Sequence, residues 1–416
     1  MQETMVIEGG HALHGSVKIS GAKNAGLVLI AASIVADGET ILDNVPRICD
    51  TEVMVEILNQ MGADVHWNAD GSLSICSPSA ELKCQTPYAL SKKLRASNLF
   101  LGALLARQGE AIVSMPGGCD IGSRPMDLHL KGVRALGAEI TIEQGYISAR
   151  SAKTHGARIY LDFPSVGATE NIMMMASKTP GASVIENAAK EPEIVDLANF
   201  LNSMGAKIRG AGTDVIKIEG VERLKAGRYA IIPDRIEAGT FMIAAAISGG
   251  DILVENVIPT HLHPIIAKLQ EIGALVEETD QGIRVKAGPK ILRADIKTMP
   301  YPGFPTDMQS QMLALLSLAE GTSVVVENVF ENRFQIVEEL KRMGAKITLD
   351  GHTAVVEGTG ALYGARVRAT DLRAGAALIL AALAAQGETI IEDAIHIFRG
   401  YENVTEKLTK LGARIK

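Results

Sequence analysis

Cysteine is scarce in this chain. The four present, Cys49, Cys76, Cys84 and Cys119, are too few and too scattered for a disulfide framework. No C-x-x-C pair occurs, and the histidine pairs His11/His14 and His261/His263 have neither a nearby cysteine nor an evident third ligand, so no metal is expected. Basic charge is also short. Lys and Arg total 41 against 48 Asp and Glu, a net charge of −7, which argues against a broad nucleic-acid-binding face. Long apolar runs are missing: Ala376–Ala385 is among the longest, against the roughly 20 residues a bilayer-spanning helix needs. The opening MQETMVIEGG has no basic segment followed by an apolar core, so no signal peptide is expected, and a soluble cytoplasmic protein is the default. With 47 % hydrophobic and 21 % charged residues, the composition leaves little room for disorder. A length of 416 residues suggests two or three domains.

What the chain has in plenty is glycine, 41 in all, and internal repetition. A helix ending in an apolar residue, Gly and Ala recurs six times, with the glycines at 62, 137, 205, 273, 344 and 412. Each glycine suits the left-handed position that ends a helix. Six segments with the alternation of a strand precede these helices: GETILDNV, GEAIVSMP, GASVIENA, GDILVENV, GTSVVVENV and GETIIEDA. Before each strand lies a helix of small and apolar residues, starting near SGAKNAGLVL, KKLRASNLFL, SVGATENIMM, DRIEAGTFMI, PTDMQSQMLA and TDLRAGAALI, whose composition predicts burial on all sides. The sixth unit stops early and the N-terminal strands supply its missing end. The expectation is an α/β protein of six pseudo-symmetric repeats, three per domain. One domain is 23–232; the other is 1–22 joined to 233–416, with two crossings between them and a ligand cleft between the domains.

Matched positions in the repeats carry unlike polar side chains, which a scaffold does not need. The loops after the strands hold Cys119, Arg124, Glu191, Arg333 and Arg399; the starts of the buried helices hold Lys23, Asn24, Arg95, Ser165, Val166, Gly167, Asp234, Arg235, Asp307, Asp371 and Arg373. Pseudo-symmetry puts these at the same ends of their helices, where free N–H groups and positive dipole ends collect. An acidic protein then holds a local cationic pocket, suited to a phosphorylated and carboxylated ligand. Each residue also has a bland role. The arginines fit surface ion pairs, Asp307 an N-cap, and Cys119 a small buried apolar group. The glycine-rich setting of Cys119, close to Arg124, favours an accessible thiol of lowered pKa.

The segments SGAKNA (20–25), LRAS (94–97), PGGCDIGSRPMDLH (116–129), SVGAT (165–169), EPEIVD (191–196), PDRIEAGT (233–240), FPTDMQ (304–309), FENRF (330–334), ATDLRA (369–374) and RGYE (399–402) resemble, in order and over the whole chain, the enolpyruvyl transferase family of the UDP-N-acetylglucosamine 1-carboxyvinyltransferase type. The resemblance implies an inside-out α/β barrel fold in two domains. It also implies transfer of enolpyruvate from phosphoenolpyruvate to the 3′-hydroxyl of UDP-N-acetylglucosamine, with no cofactor and no metal. On matching motifs it implies that Lys23, Arg124 and Arg399 hold the donor phosphate and that Arg333 and Arg373 face its carboxylate. Cys119 is implied as general acid or aid to product release, open to alkylation by the epoxide fosfomycin, and Asp307 as the base. Asn24, Arg95, Arg124, Pro125, Met126, Asp127, Leu128, Ser165, Val166, Gly167 and Val329 would line the nucleotide-sugar site, with Glu191, Asp234 and Arg235 in support. One departure stands out: where some members carry Lys two residues before the Ser of SVG, this chain has Phe163. The nearest rival is 3-phosphoshikimate as acceptor; the rival of another class is a non-catalytic repeat module that binds anions.

Overall fold

The alternating segments of the sequence become strands of six small sheets, inner ones in five of them. A computed structural model describes residues 4–77, 82–115, 125–151 and 153–416 of the chain. The chain divides into two units. Unit 1 combines the N-terminal segment up to Ser20 with Pro233–Lys416; unit 2 is built from the stretch between Gly21 and Ile232. Each unit holds three sheets and its own hydrophobic core.

The sheets share one plan. The strand Thr322–Val326 pairs in parallel with Ile296–Lys297 on one side and antiparallel with Thr353–Glu357 on the other, which pairs in turn with Lys346–Asp350. The same order recurs around Glu39–Asp43, Ala182–Glu186, Asp251–Glu255 and Glu388–Glu392. The N-terminal strands fill two of these places: Thr4–Glu8 lies antiparallel to Glu388–Glu392, and His14–Lys18 parallel to Asp251–Glu255. The sheet of Glu110–Ser114 has three strands, and its fourth place is taken by a single parallel bridge from Gln85 to Ile112. Pro87 follows at once and sets the chain into the short helix Tyr88–Ser91, which ends the pairing.

Behind the sheets lie the buried helices. In unit 1, Arg235–Ile247, Gln309–Leu316 and Leu372–Ala384 pack on one another. In unit 2, Phe100–Gln108 packs on Val166–Lys178 and on Lys23–Ala32. Their apolar, small-residue surfaces are covered nearly all round; in Leu372–Ala384 every residue but the last is buried. Small residues set how closely they approach. A Cβ placed on Gly102 would lie 2.3 Å from the carbonyl oxygen of Asn171, and the Gly102 N–H donates to Asn171 Oδ1 at 2.6 Å. The second and fifth buried helices are entered through 3₁₀ turns, Arg95–Leu99 and Thr306–Met308. The six glycines that follow the amphipathic helices all have positive φ, between 95° and 106°. Among the described residues no helix is long and apolar enough to cross a membrane.

Two buried carboxylates fasten chain segments where a unit begins or ends. In unit 1, Glu237 accepts from the Ser20 N–H at 2.9 Å and from Lys407 Nζ at 2.6 Å. In unit 2, Asp196 accepts from Tyr229 Oη at 2.7 Å and from the Ile232 N–H at 3.4 Å. Burial pushes Glu237 up to about 7, against the pull of Lys407, and pushes Asp196 up to about 6, against its hydrogen bonds.

Two outcomes follow from this packing. Gly102→Ala forces a Cβ into the Asn171 backbone and lowers unfolding stability by roughly 1–3 kcal/mol, read by urea denaturation. A carboxyl whose folded pKa is raised contributes stability that is complete below its unfolded pKa and is lost as pH rises through the folded value. For Asp196 that window runs from about 4 to about 6. Asp196→Asn, which retains one acceptor oxygen, removes this loss, so its stability relative to wild type improves by roughly 1–3 kcal/mol between pH 4 and pH 7.5.

Candidate functional site

In unit 1 the site is built on the N-terminal ends of two buried helices. Asp371 caps the helix Leu372–Ala384: its Oδ1 accepts from the N–H groups of Arg373 and Ala374 at 2.8 and 3.1 Å. That cap fixes Arg373 in the first turn. Asp307 sits in the 3₁₀ turn that follows Pro305 and leads into Gln309–Leu316. Arg333 comes from the loop after the fifth repeat strand. The three meet: Arg333 Nη2 donates to Asp307 Oδ1 at 2.7 Å, and Arg373 Nη2 donates to Asp307 Oδ2 at 2.8 Å. One carboxylate is therefore held at both oxygens by two guanidiniums. The arginine side chains are 2 % and 6 % exposed, whereas that of Asp307 is 26 % exposed. Solvent reaches the anion and hardly reaches the cations.

The electrostatics follow from this enclosure. Burial works to raise the Asp307 carboxyl, but the charges of Arg373 and Arg333, and their hydrogen bonds, outweigh it and hold the group far below the usual carboxylate range. Arg373 is supported from behind. Its Nη1 donates to Tyr401 Oη at 3.4 Å, and its guanidinium lies 5.8 Å from the Tyr401 ring centre. Tyr401 is fully buried, with Thr240 Oγ1 at 2.8 Å and Gln311 Nε2 at 3.3 Å from its hydroxyl. Thr240, Gln311 and Arg373 each lie on a different buried helix, so this polar knot ties the three together. Asp234 is the N-cap of Arg235–Ile247, its Oδ1 accepting from Ile236 and Glu237 at 2.7 and 3.0 Å, and Arg235 lies 5.8 Å from the Tyr301 ring centre. Val329 donates its N–H to Glu327 at 2.8 Å. Arg399 ends the 3₁₀ stretch Ala394–Arg399, two residues before Tyr401.

Unit 2 holds the other described residues, several of them around His129. Lys23 opens the first buried helix and pairs with Asp50 at 2.8 Å, the two side chains 13 % and 5 % exposed. His129 is buried in the helix Asp127–Ala135, and its Nδ1 meets Asn171 Nδ2 at 2.8 Å. The amide nitrogen is a donor, so Nδ1 accepts and the ring proton sits on Nε2. Burial first, then the charge of Arg95, push the imidazole down to about 3. Gly167 leaves room for this ring: a Cβ there would lie 2.9 Å from His129 Cε1. Ser165 caps the same helix, its Oγ accepting from Ala168 at 3.3 Å, with Val166 beside it half-buried. Met126 is buried, with Asn98 Nδ2 at 3.3 Å from its sulfur. Leu128 is half-buried, whereas Asn24, Pro125 and Asp127 are exposed. Glu191 opens the helix Pro192–Ser203, and its carboxylate accepts from the Lys190 N–H at 3.0 Å. Cys119 and Arg124 lie outside the described residues.

Sequence reasoning thus named most of the polar groups that the fold gathers but missed the buried residues behind them. His129 and Tyr401 both lie inside segments singled out above. Their signal was an aromatic or imidazole ring beside a cluster of charges. Among the described residues, no group of three His, Cys, Asp or Glu side chains is placed to hold a metal ion.

The sequence pattern of the EPSP synthase (3-phosphoshikimate 1-carboxyvinyltransferase) family matches residues 7–408. UDP-N-acetylglucosamine 1-carboxyvinyltransferase 1 of Caldanaerobacter subterraneus subsp. tengcongensis is 56 % identical over 416 residues, covering 100 % of this chain and 99 % of the relative. The UDP-N-acetylglucosamine 1-carboxyvinyltransferase of Halothermothrix orenii is 53 % identical over 411 residues, 99 % of this chain and 98 % of the relative. Among solved structures, the enolpyruvyl transferase NikO from Streptomyces tendae superposes with a TM-score of 0.89 at 27 % identity, over 99 % of this chain and 98 % of that one. An EPSP synthase from Acinetobacter baumannii superposes with a TM-score of 0.76 at 20 % identity over the full length of both, a likeness of fold alone. With a family pattern that spans nearly every residue and relatives more than half identical from end to end, the chain belongs to the EPSP synthase family of two-domain α/β enolpyruvyl transferases, on the UDP-N-acetylglucosamine 1-carboxyvinyltransferase branch.

Proposed function

We propose that the chain transfers the enolpyruvyl group of phosphoenolpyruvate to the 3′-hydroxyl of UDP-N-acetylglucosamine with release of phosphate, the first committed step of peptidoglycan synthesis. The observation that carries this reading is the Asp307 carboxylate held between Arg333 and Arg373. Two enclosed guanidiniums around one carboxylate have the form of a carboxylate subsite, filled by the chain's own acid. The donor brings a second carboxylate. As that group draws the arginines, Asp307 loses part of its cationic clamp, its proton affinity rises, and it becomes able to take the proton of the sugar hydroxyl.

The sugar oxygen bonds to C2 of the donor while C3 receives a proton, giving a tetrahedral ketal. The C2–O bond to phosphate breaks, C3 loses a proton, and the enolpyruvyl ether remains. Arg333 and Arg373 hold the carboxylate as charge moves through C2. We assign the donor phosphate to Lys23, Arg124 and Arg399, and the proton at C3 to Cys119. The nucleotide sugar goes to Asn24, Arg95, the residues from Arg124 to Leu128, Ser165, Val166, Gly167 and Val329. Glu191, Asp234 and Arg235 act as supports. The reading has both units acting on one pair of substrates. It goes with six pseudo-symmetric repeats, three to a unit in an inside-out barrel, which the shared strand order of the sheets supports. It also goes with a cytoplasmic location, since both substrates are multiply charged. Phe163 in place of a lysine leaves contacts to the diphosphate to other cations.

The deciding measurement is phosphate release from phosphoenolpyruvate with each acceptor offered in turn. Release with UDP-N-acetylglucosamine and none with 3-phosphoshikimate is expected; the reverse pattern, or binding without release, defeats the reading. Arg373→Ala is expected to raise KM for phosphoenolpyruvate by roughly 10- to 100-fold, as loss of a charge-assisted contact does. It also takes one cation from Asp307, so the acid limb of the pH–rate profile moves to higher pH, which a titration of kcat/KM from pH 5 to 9 reads.

A further inference from the structure

The fifth repeat strand differs from its counterparts by one residue. In four repeats the strand ends on an acid or its neighbour turns out through an Asn or Asp of positive φ: Asn44, Asn187, Asn256 and Asp393, each at φ 53–58°. The acids just before them, Asp43, Glu186, Glu255 and Glu392, are half-exposed, and Asp43, Glu186 and Glu392 pair with arginines of the neighbouring parallel strand. The fifth segment, GTSVVVENV, carries an extra β-branched residue before its acid. Val326 takes the place of the half-exposed acid, and Glu327 stands where the others have the left-handed residue. Side chains alternate along a strand, so one added residue moves the acid to the opposite face. Glu327 is accordingly fully buried.

A buried carboxylate is costly unless its oxygens are satisfied. Glu327 accepts four hydrogen bonds. Oε1 takes Thr298 Oγ1 at 2.9 Å and the N–H groups of Val329 and Phe330 at 2.8 and 3.1 Å; Oε2 takes Thr306 Oγ1 at 2.9 Å. Thr306 immediately precedes Asp307 in the 3₁₀ turn, and the Val329–Phe330 backbone leads directly to Arg333. One carboxylate therefore grips both chain segments that carry the Asp307–Arg333 pair. We propose that Glu327 is a positioning residue for the transfer reaction, holding the Asp307 turn and the Arg333 loop in register through Thr306 and the Val329–Phe330 amides. The role deepens the reading of Asp307 as base and rests on it. Asp307 has to be released from its clamp without drifting, and a fixed turn keeps its carboxylate where the sugar hydroxyl arrives.

The experiment compares Thr306→Val, Thr306→Ser, Glu327→Gln and Asp307→Asn in the phosphate-release assay, with thermal melting of each. Valine keeps the shape of threonine and removes only its hydroxyl; serine keeps the hydroxyl. Thr306→Val is expected to lower kcat about tenfold, with KM for both substrates within about twofold of wild type, and Thr306→Ser to restore most of that loss. Glu327→Gln, which keeps shape and one acceptor oxygen, is expected to lower kcat by a smaller factor. A purely structural role predicts lower melting temperatures with wild-type kcat per folded molecule, and that result in both Thr306→Val and Glu327→Gln overturns the proposal. So does equal loss in the valine and serine variants. Asp307→Asn separates the two levels. Full kcat in that variant removes the base assignment itself, whereas loss there with wild-type kcat in both Thr306→Val and Glu327→Gln removes only the role of Glu327.

Discussion

One anion between two enclosed cations organises unit 1. Asp307 satisfies Arg333 and Arg373 together, and neither arginine could be kept so far from water without it. Within this triad two guanidiniums share one carboxylate, while Asp234 adds a further negative field at Arg373. On the proposed reading, the resting and working states of Asp307 differ in what the arginines hold.

The sheets share a plan, yet the polar side chains at their strand ends differ. The strand order hardly changes from sheet to sheet, and the terminating glycines keep one backbone conformation. A single added residue before Glu327 turns a surface acid into a buried one. The second sheet gives up a strand for one bridge at Gln85. Entry of the second and fifth buried helices through 3₁₀ turns places Arg95 and Asp307 in backbone geometries that their counterparts lack.

Much of this was legible in the sequence because it is periodic. Two-residue alternation located the inner strands, and the all-apolar helices announced their burial, as in Leu372–Ala384. The polar positions that interrupt those patterns, Lys23, Arg95, Asp307, Arg333 and Arg373, were visible as interruptions. Their partners were not. That Arg333 and Arg373 close on the same carboxylate depends on where three distant segments meet, and no local pattern encodes it. Tyr401 and His129 escaped for a related reason: a ring in a loop motif reads as packing until its hydrogen bonds are seen. Glu327 left a trace, an acid displaced by one place within an otherwise regular set, but its meaning lies in the face it turns to.

The buried imidazole of His129 carries a consequence for the other half of the molecule. With Nδ1 committed to Asn171 and protonation deferred to about pH 3, the ring stays electrically silent throughout the range in which cells live. Its remaining N–H is thus a constant, uncharged donor beside Arg95. This corner of unit 2 therefore keeps one chemical identity across that whole range.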